Sequence, residues 1–538
     1  MKALYYGDNL QVLRDSIATE SVDLIYLDPP FNSNATYNVL FRSPKGEESQ
    51  AQIEAFEDSW HWTDEAEKAF DEVMQSGNTA AADMLRAMRS FLGENDVMAY
   101  LTMMAVRLIE LHRVLRPTGS LYLHCDPTAS HYLKVLMDAV FGPPQFRNEV
   151  VWKRTTTHSD SKTWSRVADY LLFYTKGDAF TWNTPRAPHS EEYKASKYRY
   201  DDGDGRGVYR LDNMTSPNPR PNMMYVWKGF PFPAKGWRYS EETMARLDAE
   251  GRISYPTKND GSLDTSKRPQ LKRYLDEMEG GVMGTVWTDI SPINSQAQER
   301  LGYPTQKPVA LLQRLVAASS NPDDLILDPF CGCGTSIHAA EVLKRNWIGI
   351  DVTHLAISLI EKRLNDAWPG IKYEVHGTPK DLSGAKALAD LDKYQFQWWA
   401  VSLVNAVPVG GKKKGADQGI DGVIYFKPDG KKTERAVVSV KGGQNVSVAM
   451  IRDLKGVMDR EKAPMGLFIT LANPTGPMKK EAASAGVLDT PFGKFARLQI
   501  LTIEDLFDGK KPGMPPQDPT AFKKAAREED TTRQGQLI

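Results

Sequence analysis

The sequence predicts an α/β protein, with a doubly wound, mostly parallel sheet interrupted by a long insertion and followed by a smaller α/β domain. Three observations carry this. Short apolar runs closed by aspartate (VDLIYLD at Val22–Asp28, LILD at Leu325–Asp328, WIGID at Trp347–Asp351) alternate with stretches of helical apolar spacing, the mark of parallel strands buried on both faces. From about Lys176 to Asp289 the periodicity weakens. Gly, Pro, Asn, Trp and Tyr gather there in DDGDGRG, SPNPRPN and GFPFPAKGW. Strand and helix patterns then resume to the end of the chain. At roughly 150 residues per domain, 538 residues predict three or four units.

Taken in order, Val22–Asp28 is a buried strand stopped by two prolines that cannot donate to a ladder. Ala99–Leu115 is a helix that stops before Pro117 and Gly119, and Ser120–Asp126 is a second short strand. His131–Phe141 is a helix ended by Gly142-Pro143-Pro144, and Asp169–Thr175 is a third strand. The irregular stretch is too long for a simple connection and too aromatic for disorder, so it reads as a functional insertion. Helix Pro308–Ser320, strand Leu325–Asp328, helix Thr335–Lys344, strand Trp347–Asp351 and helix His354–Leu364 complete the large domain. GTPKDLSG at Gly377–Gly384 reads as a linker. The smaller domain follows, with helices near Gln395–Asn405 and Ser447–Glu461 and strands at Gly422–Phe426, Ala436–Lys441 and Gly466–Thr470. From about Gly509 the chain is polar and reads as a frayed tail.

Composition excludes several classes. No run of about 18 apolar residues is present to span a membrane, and MKALYYGDNLQVLRDS lacks the apolar core of a secretory signal. Three cysteines, Cys125, Cys331 and Cys333, rule out a disulfide scaffold and suit a reducing cytoplasm. The net charge is −2, but from Gly377 onward there are 25 Lys and Arg against 19 Asp and Glu, so the final third is basic. That bias suits a polyanion only weakly.

The first chemical constellation is Asp28-Pro29-Pro30-Phe31, at the carboxyl end of a buried strand, where open parallel sheets bind ligands. The exocyclic amino group of a nucleobase is a poor nucleophile because its lone pair is delocalised. Asp28 and the Pro29 carbonyl can each accept one of its N–H groups, drawing the nitrogen towards tetrahedral geometry. Phe31 offers a stacking face. The base must leave the duplex to reach such a site.

The second constellation is Asp328-Pro329-Phe330-Cys331-Gly332-Cys333-Gly334-Thr335, a strand entering a glycine turn and then a helix. Glycines let backbone approach a ligand, and a helix N-terminus favours a carboxylate. It has neither the GK[ST] of a phosphate loop nor the spacing of a dinucleotide loop. Asp351, at the end of the next strand, suits ribose hydroxyls. Thr305-Gln306-Lys307-Pro308 opens the preceding helix and suits an amino-acid moiety. A nucleoside with a methionine-like tail fits the three together.

DPPF near the N-terminus with TQKP, LDPFCGCGT and IGID near the end of the large domain resembles the β-class amino-methyltransferases of DNA, across about residues 1–376. The resemblance implies a Rossmann-like methyltransferase sheet and S-adenosylmethionine as methyl donor. It assigns Asp28, Pro29, Pro30 and Phe31 to catalysis, and Asp328, Phe330, Gly332 and Gly334 to the donor loop with Cys331 and Thr335. Asp351 becomes the ribose acid, and Thr305 and Lys307 the helix-opening motif. Gly7-Asp8-Asn9 is similar to the family segment near the donor's adenine, which makes Asp8 a binding residue. The cysteines at 331 and 333 depart mildly from the family, which carries Ala or Gly and often Ser there. The insertion, about residues 150–300, falls where the family carries its target-recognition region. Cytosine ring-carbon methylation would need a Pro-Cys nucleophile, and protein-glutamine methylation an NPPY with the motifs in the opposite order. Both are rejected. Methylation of cytosine N4 is the serious rival, but its motif more often begins with Ser, and Asp favours adenine N6.

In the basic final third, Asp421 begins one strand and Lys441 ends its neighbour. A carboxylate and a lysine so placed can hold a divalent metal and activate water against a phosphodiester. This resembles the Mrr-like branch of restriction-endonuclease folds across about Tyr394–Thr470. The family carries Glu or Gln two residues before the lysine, and here that position is Ser439. Either another carboxylate replaces it, with Glu434 and Asp453 as candidates, or the domain binds DNA without cutting it. Lys412–Lys414 and Lys431–Lys432 suit phosphates or a plain solvated surface. His124 and Asp126 end a strand beside the expected site and read as structural, as does Trp398-Trp399.

The expectation is therefore a cytoplasmic DNA adenine methyltransferase (residues 1–376), a linker (377–392), an endonuclease-like domain (393–510) and a polar tail (511–538). Double-stranded DNA is the expected partner and a membrane is not. A homodimer and a separate restriction subunit are both compatible with the sequence. Mg2+ is expected only if the final domain cleaves DNA, with Asp421 as its ligand. The alternatives are a bifunctional restriction–modification enzyme and an N4-cytosine methyltransferase.

Overall fold

The computed structural model describes residues 1–29, 35–42, 48–58, 61–157, 162–294, 297, 299–301, 303, 305–409 and 419–518. Its main feature is a nine-stranded sheet. In chain order the strands are β1 (Lys2–Tyr6), β2 (Val22–Leu27), β3 (Leu115–Cys125), β4 (Phe146–Lys153), β5 (Ala168–Thr175), β6 (Val286–Trp287), β7 (Leu325–Asp328), β8 (Asn346–Asp351) and β9 (Glu374–His376). Across the sheet they run β6-β4-β5-β3-β2-β7-β8-β1-β9. Only β5 runs antiparallel to its neighbours β3 and β4. The others pair in parallel, as expected from their continuous apolar runs.

The helices that cover the sheet include α1 (Asn9–Ser16), α2 (Asp96–Val114), α3 (Ser130–Phe141), α4 (Val309–Ser319), α5 (Thr335–Val342) and α6 (His354–Ala367). One layer of core joins α1, α2 and α3 to one face through residues such as Leu13, Leu108 and Leu133. The other joins α4, α5 and α6 to the opposite face through Leu312, Ile337 and Ile360. Two cores back to back make the sheet doubly wound.

The described residues fall into two compact units. The smaller, Thr184–Gly284, is narrower than the expected insertion of about 150–300. Residues 146–153, 168–175 and 286–287 belong to the main sheet instead, because Val150, Trp152, Leu171 and Phe173 bury apolar side chains in its core. The smaller unit has its own three-stranded sheet and a core of Trp227, Phe230, Trp237, Met244 and Leu271. Its entry and exit segments pair at Arg186–Ala187 and Gly281–Val282.

The C-terminal region clusters with the main sheet as one unit but has a sheet of its own. Its strands β10 (Val407–Pro408), β11 (Gly422–Phe426), β12 (Glu434–Lys441), β13 (Met465–Thr470) and β14 (Leu498–Thr502) lie in sequential order. Three helices, α7 (Leu382–Leu391), α8 (Lys393–Ser402) and α9 (Val448–Arg460), pack on it. The expected linker at 377–392 is thus corrected. Ala385, Leu388 and Ala389 form one face of α7 and enter the C-terminal core. The expected tail is also shorter. The Asp518 N–H donates to Tyr425 O (2.8 Å) and the Lys427 N–H to Pro516 O (2.9 Å), tying residues 516–518 along β11. Among the described residues no helix is long and apolar enough to cross a membrane.

Candidate active site at the carboxyl edge of the main sheet

Strands β2, β7 and β8 are parallel neighbours, so Asp28, Asp328 and Asp351 come out at the same edge of the sheet. They surround a cavity of about 350 Å³. Asp28 and Pro29 line it, as do Asp8, Thr305, Lys307, Asp328, Phe330, Cys331, Gly332, Thr335 and Asp351. Segments some three hundred residues apart therefore share one cleft. Pro30 and Phe31 lie outside the described residues. Gly334 is not part of the lining; it precedes α5 with a left-handed backbone (φ +73°), and a Cβ there would stand 2.7 Å from Ile360.

The carboxylate of Asp28 accepts a hydrogen bond from Lys307 Nζ at 2.5 Å through Oδ2. The side chains are 15% and 10% exposed, so this is a largely desolvated ion pair. Its other oxygen, Oδ1, is buried and has no hydrogen-bond partner among the described residues. Lys307, expected to serve a donor's amino-acid moiety, lines the cavity and pairs with Asp28 there. The pairing spans 279 positions, which no local reading of TQKP can show.

The glycine turn is held by carboxylates. Gly332 has φ +49°, and a Cβ there would come 3.2 Å from the ring of Tyr303. Its N–H donates to Asp351 Oδ2 (3.0 Å), while Asp351 Oδ1 accepts from the Thr353 N–H (2.9 Å) and hydroxyl (2.8 Å). Asp328 accepts from the Phe330 N–H (3.0 Å) and from the Ser336 hydroxyl. Burial pushes the Asp328 carboxyl up to about 7 and that of Asp351 up to about 6. Burial also raises the thiols of Cys331 and Cys333, so both are neutral packing groups.

A third wall comes from the N-terminal segment. Asp8 caps α1 by accepting from the Leu10 N–H (2.7 Å) and pairs with Arg107 (3.1 Å). Arg107 Nε donates to Asn9 Oδ1 (2.7 Å), and Asn9 Nδ2 donates to Pro329 O (2.8 Å). This chain fastens the first strand's loop to the glycine turn. Sequence reasoning missed Arg107. The available signal was a guanidinium inside the otherwise apolar run MMAVRLI of α2, which a buried position must pair. Tyr303, Tyr26 and Met103 also line the cavity, and nothing in their local sequence marks them.

His124 is not in the lining. It is buried between Tyr26 and Asp169, with Tyr26 OH 2.9 Å from Nδ1 and Asp169 Oδ2 3.2 Å from Nε2. Arg154 Nε reaches the other Asp169 oxygen at 3.3 Å. Asp126 accepts from the Thr128 N–H and hydroxyl in a local turn. Both are structural, as expected.

In the C-terminal domain, Asp421 stands just before β11. Its Oδ2 accepts from the Val440 N–H at 2.6 Å and its own N–H donates to Val438 O at 2.8 Å. Lys441 and Ser439 lie on the adjacent β12, with Ser439 buried. Neither proposed substitute for Ser439 reaches this point. Glu434 is at the opposite end of β12, facing Phe426 and paired with Lys432. Asp453 is exposed on α9. Among the described residues no group of three or more His, Cys, Asp or Glu side chains is placed to hold a metal. Lys412–Lys414 lie outside the described residues. Lys431 and Lys432 sit in a turn whose N–H groups donate to Asp429.

Comparison with known proteins agrees with this division. A DNA methylase family model matches residues 22–362, and a restriction endonuclease model matches residues 388–497. The chain is 33% identical over 268 residues to Type II methyltransferase M.EcaI of Enterobacter cloacae, covering 49% of this chain and 57% of that protein. It is 26% identical over 351 residues to the Type III restriction-modification enzyme StyLTI Mod subunit of Salmonella typhimurium, covering 63% and 49%. A shorter match, 42% over 86 residues, is to the DNA adenine methyltransferase YhdJ of Escherichia coli, covering 16% and 29%. The chain spans about half the length of the first two relatives it matches. With the family model matching well over half of its length, and the motifs of that region meeting in one cavity, the chain belongs to the DNA methylase family.

Proposed function

We propose that this chain is a site-specific DNA methyltransferase that moves a methyl group from S-adenosylmethionine to the N6 amino group of adenine. The observation that carries the reading is Asp28. It is a strand-end carboxylate with one oxygen held by Lys307 and the other buried without a partner among the described residues, in the cavity that also contains the glycine turn. A buried acceptor left unsatisfied awaits a donor, and an exocyclic amino group is one.

The residues present fit the donor. Gly332 leaves backbone uncovered on the cavity side, Asp351 and Thr353 suit ribose hydroxyls, and Thr335 opens α5 towards a carboxylate. Asp8 and Asn9 stand near the remaining wall. The donor supplies a methyl group already activated on a sulfonium. The chain has to exclude water and orient the nucleophile. Lys307 holds the Asp28 carboxylate in place as an acceptor. Asp28 Oδ1 and the Pro29 carbonyl accept the amino N–H groups and turn the nitrogen lone pair towards the donor. A base reaches this enclosed cavity only by leaving the duplex.

The unit at 184–284 is assigned to target recognition, and the C-terminal domain to DNA contact. Asp421 beside Lys441 favours a second reading, in which that domain also cleaves DNA with Mg2+. Ser439 and the engaged Asp421 carboxylate favour the module without chemistry. The cytoplasm, where DNA is reached directly, suits either reading. The likeness to a Mod subunit makes a separate restriction subunit a natural partner, and a homodimer is compatible with it.

Sequencing modified bases in DNA from a host expressing the chain tests the proposal. N6-methyladenine in one sequence context is the expected result, and N4-methylcytosine or unmodified DNA overturns it. Incubating unmethylated DNA with the protein and Mg2+ decides between the two readings of the C-terminal domain.

A further inference from the structure

The donor end of the cavity is backed by the C-terminal domain. Tyr303, Cys333, Leu355 and Leu359 of the methylase region form one buried cluster with Trp398 of α8 and Val407 of β10. Each is less than a tenth exposed. The Tyr303 ring lies against Gly332 and Cys333 belongs to the glycine turn, so Trp398 shares one buried cluster with that turn.

Two further contacts repeat the arrangement. The His354 N–H, directly after the cavity residue Thr353, donates to Gln395 Oε1 of α8 at 3.2 Å. The His354 ring stacks on Tyr6, with centroids 3.5 Å apart, and Tyr6 packs against the C-terminal core. Tyr6 immediately precedes Gly7 and Asp8. Three of the segments that line the cavity, at 7–9, 303–307 and 331–353, are thus each braced from behind by the same domain. On the far side β10 continues towards the Asp421 and Lys441 strand ends. Val407 pairs with Val423, and the Val409 N–H donates to Asp421 O at 3.0 Å.

We propose that α8 of the C-terminal domain is a structural wall of the donor site, with Trp398 as a positioning residue that fixes the glycine turn through the buried cluster it shares with Tyr303 and Cys333. Donor occupancy and order in the C-terminal domain are therefore coupled. The inference rests on the donor reading above. A turn with two left-handed glycines has little conformational preference of its own, so the packing behind it adds to the carboxylate hydrogen bonds that hold it. A large aromatic is an effective support because it brings much buried area with few rotatable bonds. Coupling of this kind is reciprocal: whatever strengthens the wall strengthens ligand binding, and bound ligand strengthens the wall.

Calorimetry and amide hydrogen exchange on the full chain, with the unreactive product S-adenosylhomocysteine as probe, test it. Ligand is expected to slow exchange in residues 393–402 and 407–409 as well as in the glycine turn. Trp398→Ala is expected to weaken ligand binding about tenfold, in the usual range for coupled sites. The KM for donor should rise in proportion, with kcat at saturating donor kept, and Trp398→Phe should recover most of the loss. Leu454→Ala removes a buried side chain from the opposite face of the C-terminal sheet and is expected to bind ligand like the wild type.

Wild-type protein that binds no S-adenosylhomocysteine refutes the donor reading and the inference with it. Wild type that binds, with Trp398→Ala equally tight and no protection at 393–402, overturns the inference alone. Equal weakening in Trp398→Ala and Leu454→Ala overturns it too, because the effect would then be general destabilisation.

Discussion

The molecule sets a strand-end aspartate near a lysine twice, and the two arrangements are built differently. At the main sheet, Asp28 meets a lysine from a segment 279 positions away and keeps one buried oxygen without a partner among the described residues. A cavity of about 350 Å³ opens beside it. At the C-terminal sheet, Asp421 spends an oxygen on the Val440 N–H, one residue before Lys441. There the carboxylate bridges two neighbouring strands at the open end of their hairpin. The same residue types yield a receptive group in one place and a local staple in the other. Satisfaction of the acceptor, more than its identity, separates the two.

The largest effect should come from removing the receptive group. Asp28→Ala is expected to lower methyl transfer by about a thousandfold or more, the scale of losing an acceptor that acts on the reacting atoms. Donor affinity should stay within about threefold of wild type, which equilibrium dialysis would check. Unchanged methyl incorporation would end the assignment of Asp28.

Breaking the ion pair from the other side comes next. Lys307→Met should cost about a hundredfold in kcat/KM, since a lone buried carboxylate is strongly penalised. The pair should behave as a unit, so Asp28→Asn combined with Lys307→Met should lose little more than the worse single variant. Additive losses would show that the two side chains act independently.

The staple predicts the opposite pattern. Asp421→Ala should leave methyl transfer intact and lower stability by about 1–3 kcal/mol in urea denaturation, the scale of one buried N–H left unpaired. A loss of Mg2+-dependent DNA cleavage in this variant would instead make the second pair catalytic. Gly334→Ala should cost a similar amount, about 1–3 kcal/mol, because of its left-handed backbone. The strain falls on the donor loop and should appear in ligand binding as well.

A further effect, on stability alone, is a pH dependence. Burial raises the Asp328 carboxyl from 3.8 to about 7. Between those values the unfolded chain gives up the proton and the folded chain keeps it, so the donor-free protein loses stability as pH rises from about 4 to about 7. Asp351, raised to about 6, has the same sign over a narrower range. His354 is held near 3 by burial and acts oppositely, losing stability as pH falls below its ordinary 6.5. Denaturation midpoints from pH 5 to 8 should therefore show a shallower decline in Asp328→Asn than in wild type. An identical decline would mean that Asp328 is not protonated in the folded protein near neutrality.

Much of the large domain was legible because short apolar runs closed by Asp and Pro have few other uses. Leu325–Asp328 and Gly422–Phe426 match their expected spans, and β8 differs from expectation by one residue. Misreadings arose where polarity concealed packing. GTPKDLSG looks like a linker, but the helix after Asp381 buries a face that only the C-terminal sheet completes. The strands at 146–153 and 286–287 lie at one end of the sheet, where their place is set by pairing with distant partners, so their irregular surroundings drew them into the expected insertion.

The sequence by itself determined the chemistry on offer: three strand-end aspartates, a glycine turn, a lysine before a helix, and a basic final third. Local composition dictates these, because backbone preferences and apolar periodicity act over a few residues. Only the tertiary structure decided which lysine serves which aspartate, that Arg107 ties the first loop to the glycine turn, and that Trp398 joins Tyr303 and Cys333 in one buried cluster. Such pairings join residues tens to hundreds of positions apart, and their energies depend on burial that exists only once the sheet has formed.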